Sequence, residues 1–204
     1  MNVIERPGGF RSRRFVFTTL HAAAEVRSIA HAAGWQQTVD RPATPEGDVP
    51  LLLTWEVLPG LTVSYTEKAG IETSFVLASS SLGAAEVEGC IAVFAAHPRV
   101  LSFDALIATC DAADSPPAQG MALARAGLGA PIEEDERFIE RLEAGAFAAD
   151  GAVREGALWG MAYAEWPTFR NSLAEASRTD PDEFLRRVAA SALRAFDRIG
   201  VPTP

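Results

Sequence analysis

The chain has 204 residues, 48% of them apolar, and a formal net charge of −9 at pH 7. That length suffices for one large domain or two small ones with a sizeable core, and no apolar run approaches the about 18 residues of a membrane span. The charge is uneven: residues 1–100 hold 8 basic and 10 acidic groups and residues 101–204 hold 10 and 17, so the second half, at −7, disfavours nucleic acid as a partner.

Residues 1–12 read as an irregular leader, charged and glycine-containing, with no apolar stretch after it and hence no secretory signal. Arg6, Arg11, Arg13 and Arg14 form a basic cluster, read as a solvated lead-in rather than an anion site. Residues 14–19 are β-branched and aromatic and predict a strand. Residues 21–34 predict a helix with Ala22, Val26, Ile29 and Ala33 on one face and Gly34 as its stop. His21 and His31 stand nearly three turns apart, too far to share a metal, and read as surface residues. Residues 40–50, with three prolines, read as a loop. Strands follow at 51–57, 61–67 and 73–78, separated by turns at Pro59-Gly60 and around Gly70. Residues 84–96 predict a helix whose core side is Val87, Ile91 and Phe94, with Cys90 beside them. A serine ahead of it reads as an N-cap and not as a nucleophile. Cys90 and Cys110 read as buried reduced thiols, which fits a cytosolic protein.

His97-Pro98 ends that helix, and beyond Val100 the pattern is helical throughout. Helices are predicted at 102–110, 116–126, 133–144, 152–164, 168–177 and 185–199. The acidic run 133–136 suits the positive start of a helix. The last helix is strongly amphipathic, with Leu185, Val188, Ala189, Ala192, Leu193, Phe196 and Ile199 opposite Arg187, Ser191, Arg194 and Arg198.

Within this region Asp150, Val153, Arg154 and Ala157 recur 32 residues later as Asp182, Leu185, Arg186 and Ala189. A fixed period of this size marks stacked helical repeats. The same offset divides the region into helix pairs at 102–128, 133–164 and 167–199. The expected fold class is therefore α+β: a small four-stranded N-terminal module, β-α-β-β-β-α, in residues 1–98, then about three helix pairs in residues 99–204.

The repeated Asp, apolar residue, Arg and Ala resemble the second-helix motif of HEAT repeats. The resemblance implies that Asp150, Arg154, Asp182 and Arg186 form a structural ladder between neighbouring repeats, and that the second helices line a concave face. Recognition is then expected where the copies differ: Glu155 against Arg187, Trp159 against Ser191, and Ala162 against Arg194. The aromatic stripe Trp159, Tyr163 and Trp166 reads first as core packed on the neighbouring repeat; the functional alternative is a groove of Glu155, Trp159, Tyr163, Arg187, Ser191 and Arg194 for an extended acidic or aromatic segment of another protein.

The leading expectation is a non-enzymatic interaction scaffold or regulator, acting on a toxin it neutralises or an enzyme it controls. The alternative is a small-molecule-binding protein or enzyme with its site between the module and the repeats. Against that stands the lack of a nucleophile–base pair, metal-ligand spacing or phosphate loop in the sequence, so no cofactor or metal is expected. A homodimer through the last helix pair, using Phe169, Leu173 and Ala176, competes with packing of those residues on their own second helix.

Overall fold

The computed structural model describes residues 2–45 and 49–203. The chain divides into two compact units, Met1–Leu101 and Ser102–Pro204. The first is an antiparallel sheet with two helices and the second is helical, so the fold class is α+β.

The first unit contains β1 (Val3–Arg6), β2 (Gly9–Ser12), β3 (Phe15–Val16), α1 (Ala23–Ala32), β4 (Gln36–Arg41), β5 (Leu52–Leu58), β6 (Leu61–Lys68), β7 (Thr73–Ser80) and α2 (Ala84–Ala95). Its sheet has seven strands in the order β1-β2-β7-β6-β5-β4, with β3 also on β7. Four strands were expected, and the additions have physical causes. β1 and β2 make a hairpin in the supposed leader, turning at Pro7-Gly8, with Val3 opposite Ser12. β2 and β3 lie along the same edge of β7, meeting Ser79–Ser80 and Phe75–Val76 respectively. The break between them is closed by Ser12, whose buried hydroxyl accepts the Ala78 N–H at 3.0 Å. β4 takes in Asp40 and Arg41 from the supposed loop; of that loop, residues 46–48 lie outside the described residues.

Alternation then defines the core. Leu61, Val63 and Tyr65 of β6 are buried with Leu53 and Trp55 of β5, while Thr62, Ser64 and Thr66 point the other way. Val26 and Ala30 of α1 and Val87, Ile91 and Phe94 of α2 close over the apolar face. Tyr65 anchors the entry to α1: its hydroxyl accepts the Ala22 N–H at 2.8 Å and faces Glu67 Oε1 at 2.9 Å. No serine caps α2. Gly83 stands at that position, and the Ser80 hydroxyl instead accepts the Leu82 N–H at 3.0 Å.

The second unit contains α3 (Phe103–Ala112), α4 (Pro116–Gly129), α5 (Glu136–Ala146), α6 (Gly151–Ala164), α7 (Arg170–Thr179) and α8 (Glu183–Arg198), with a 3₁₀ turn, Pro167–Phe169, before α7. Ser102, Asp135, Asp150 and Asp182 cap α3, α5, α6 and α8 through their side chains. The odd-numbered helices are joined by polar contacts across about thirty residues of sequence, as in Arg137–Asp104 at 2.7 Å and Arg141–Asp111 at 2.8 Å. α4 and α6 cross at backbone contact. A Cβ on Gly120 would collide with the Ala152 carbonyl, one on Gly156 with the Gly120 backbone, and one on Gly127 with Gly160. Four glycines thus permit an approach that alanine would forbid. Phe169, Leu173 and Ala176 are buried within the chain itself, not presented to a second copy. No helix among the described residues is long and apolar enough to cross a membrane.

Candidate functional site

Two helices of the module carry more apolar surface than the core consumes. α1 buries Val26 and Ala30, yet Ile29, Ala32 and Ala33 form a second stripe at i, i+3, i+4. α2 buries Val87, Ile91 and Phe94, yet Glu86, Gly89, Cys90 and Val93 form a second stripe at i, i+3, i+4, i+7. These two stripes face a common cavity of about 670 Å³, whose remaining walls are Trp35, Val57, Leu58 and Leu61.

Local sequence explains how the walls are set. α1 ends in a Schellman turn: Gly34 takes φ of 70°, its N–H donates to the His31 carbonyl, and the Trp35 N–H donates to the Ala30 carbonyl at 2.9 Å. The chain reversal delivers the Trp35 ring to Phe94, 6.2 Å between centroids. At Gly89 an added Cβ would meet nothing within 4 Å, so the cleft is open above that turn of α2. Leu58 and Val93 remain 40% and 43% exposed, which carries the apolar surface out onto the rim.

The chemistry of the cleft is nearly all burial. Glu86 supplies its charge, from the first turn of α2 where the helix start favours a carboxylate. The Cys90 thiol is pushed up to about 11 by burial. It is therefore neutral at physiological pH and acts as an apolar wall. Among the described residues no group of His, Cys, Asp or Glu is placed to hold a metal. Both cysteines are free, Cys110 buried and Cys90 half-buried. His21 is an exposed partner of Glu67 at 3.3 Å, and His31 is exposed.

The residues predicted as a groove all lie in the second unit, on α6 and α8. Glu155, Trp159 and Tyr163 are half-buried, and Arg187, Ser191 and Arg194 are exposed. Trp159 and Tyr163 stack on one another, 5.8 Å between centroids and 21° between planes. Trp166, by contrast, is core: it is buried, stacks on Phe169 at 5.5 Å, and donates its indole N–H to the Pro131 carbonyl at 3.1 Å. Arg187 bonds Glu183 one turn back on α8 at 2.6 Å, which directs its charge along its own helix.

The ladder residues divide into two roles. Asp150 and Asp182 accept the N–H groups of Ala152 and Phe184. Arg154 donates to the carbonyls six and five residues back, Ala148 and Ala149, and Arg186 does the same to Asp180 and Pro181. The rung between the two copies is Arg154 to Asp180, at 2.9 Å, with side chains 11% and 2% exposed. Asp180 also accepts the Asp182 N–H at 2.8 Å. From sequence, Asp180 ahead of Pro181 reads only as an alternative N-cap to Asp182; the structure gives the cap to Asp182 and pairs Asp180 with Arg154.

The cleft residues were missed as a group. Their signal in the sequence is the second stripe on α2, where Val93 falls off the Val87–Ile91–Phe94 face. Comparison of the chain with protein-family models, with curated proteins and with solved structures returned no match.

Proposed function

We propose that the chain is a non-enzymatic binding protein whose recognition surface is the apolar cleft between α1 and α2, and that its partner is an apolar segment of another protein carrying a basic residue. One observation carries this reading: a cavity of about 670 Å³ walled by apolar side chains, a neutral thiol and a single type of charge, that of Glu86. Such a lining recognises by burying a complementary apolar surface. The rim favours a protein segment over an enclosed small molecule, because Leu58 and Val93 extend the surface beyond the cavity. The acid at the edge and the net charge of −9 favour a basic flank on the partner.

A second surface has its own support. The Trp159–Tyr163 stack on α6 is a rigid aromatic pair with part of its area in water, the usual material of an interface anchor. The helices that carry it fit a HEAT-like reading: both copies cap with Asp and both turn an Arg onto the carbonyls six and five residues back.

The two surfaces are separated by one set of variants. A stoichiometric co-purifying partner is retained on the wild-type protein and measured again on Val93→Glu, Leu58→Glu, Trp159→Ala and Arg194→Glu. Loss in the first two with retention in the last two supports the cleft. Loss confined to Trp159→Ala and Arg194→Glu moves the site to α6 and α8. Retention in all four refutes both surfaces.

A further inference from the structure

The hairpin read from sequence as a leader builds a second, polar cavity. Strand register places Arg11 opposite Ser79 and Ser79 opposite Thr62, three neighbours in a row across β2, β7 and β6. Arg6 pairs with Gly9, two residues before Arg11, so alternation puts Arg6 on the same sheet face as Arg11. This is the face turned away from α1 and α2, since Leu61 and Val63, on either side of Thr62, belong to the core under those helices. A notch of about 340 Å³ opens there, lined by residues 6–11, Gly60, Thr62 and residues 79–81.

The walls are kept thin by glycine. Gly9 and Gly60 hold φ of 141° and 88°; a Cβ on Gly9 would strike the Ser80 carbonyl, and one on Gly60 would lie 2.8 Å from Ser81 Oγ. Substitution at either would fill the notch or distort it. Both arginines also interact within the protein. A guanidinium has five N–H donors in a fixed fork, enough to hold a protein contact and an oxyanion together. The other two arginines of the cluster are not part of the notch. Arg13 lies over the Phe15 ring at 4.2 Å and donates to Asn2 at 3.0 Å, and Arg14 is absent from the lining.

We infer that this notch binds the phosphate group of a small phosphate monoester, held by Arg6 and Arg11 with the hydroxyls of Thr62, Ser79 and Ser81 around it. Two forks and several hydroxyls suit a tetrahedral dianion with three terminal oxygens better than a planar carboxylate. The volume stands at the small end of ligand pockets, with room for a phosphate and a short organic body. Glu56, opposite Thr62 on β5, lies outside the lining. This site is independent of the apolar cleft.

The test uses inorganic phosphate and glycerol 3-phosphate as probes, with glycerol and sodium chloride at matched ionic strength as references. Binding is followed by calorimetry and by amide shifts of the full chain. Saturable binding of both phosphates, with shifts centred on the Gly8, Gly9, Gly60 and Ser81 amides, is expected. Arg6→Gln and Arg11→Gln should each lower affinity roughly tenfold or more, the loss of a charge-assisted hydrogen bond. Arg41→Gln, on the far edge strand β4, should leave it unchanged. Thr62→Val, which keeps shape and charge, gives a smaller loss and guards against misfolding of the arginine variants. Absence of saturable binding at millimolar probe, wild-type affinity retained in both arginine variants, or shifts that chloride reproduces would each overturn the inference.

Discussion

Gly156→Ala sets two local rules against each other. In an ordinary helix interior the change stabilises by about 0.5–1 kcal/mol, because glycine loses more backbone freedom on folding. At residue 156 the new Cβ would run into the O, C and Cα atoms of Gly120 on α4. Those are backbone atoms of a helix buried along most of its length, so relief requires α4 to move as a body. Overpacking costs about 1–3 kcal/mol, and with no side chain able to swing aside the upper end applies. After the propensity gain, a net loss of about 2 kcal/mol remains. With a urea m value of about 1–3 kcal/mol/M, the midpoint falls by about 1 M. Trp166, buried in the same unit, reports the transition by fluorescence. Gly151→Ala on the same helix is the reference, since its Cβ would meet only Arg154 Nη2, at 3.9 Å. That variant should unfold at or above the wild-type midpoint. If Gly156→Ala also holds or gains stability, α4 and α6 do not cross at backbone contact.

Three further outcomes follow from single groups. Arg154→Ala leaves Asp180, 2% exposed, without its ion-pair partner and should cost about 3–5 kcal/mol in urea unfolding; a loss under about 1 kcal/mol would mean that the pair is solvated. Tyr65→Phe removes the acceptor of the Ala22 N–H and should cost about 1–3 kcal/mol, read on the buried Trp55 of the same unit. Burial raises the Cys90 and Cys110 thiols to about 11, above their unfolded value, so the associated stability is full below about pH 8.5 and is lost as pH rises towards 11. Alkylation of the native protein at pH 8 should accordingly run roughly 100-fold slower than in denaturant; comparable rates would show that the thiols are not buried.

Much of the architecture was legible because burial writes a period into sequence. β6 reads directly from Leu61, Val63 and Tyr65 against Thr62, Ser64 and Thr66, and α8 from its two opposed faces. The strands that escaped detection lie at the two ends of the sheet, β4 at one and the β1–β2 hairpin at the other. β4 exposes all six of its residues and so has no buried side to alternate with. β1 and β2 interleave Glu5, Arg6 and Arg11 with apolar residues, which is how sheet edges avoid pairing with other chains and also how they come to look like a charged leader. The Gly156–Gly160 spacing was visible, but a glycine pair in a helix does not say which backbone it meets; only Gly120 and Gly127 on α4 supply that.

Both α2 and α8 leave an apolar residue in water, and α2 sets its own beside an open cleft. α8 buries Leu185, Val188, Ala189, Ala192 and Phe196 and turns Arg187, Ser191 and Arg194 to water, with Phe184 of its first turn 45% exposed. α2 buries Val87, Ile91 and Phe94 and still leaves Val93 43% exposed beside Cys90 and the open space over Gly89. Apolar surface left in water without a packing role marks a place where another surface is expected. The regular, repeated residues of the chain are those whose partners lie within it: Asp150 and Asp182 on backbone N–H groups, Arg154 and Arg186 on carbonyls. The extra apolar stripe on α2 is irregular by comparison, and packing within the chain leaves part of it exposed.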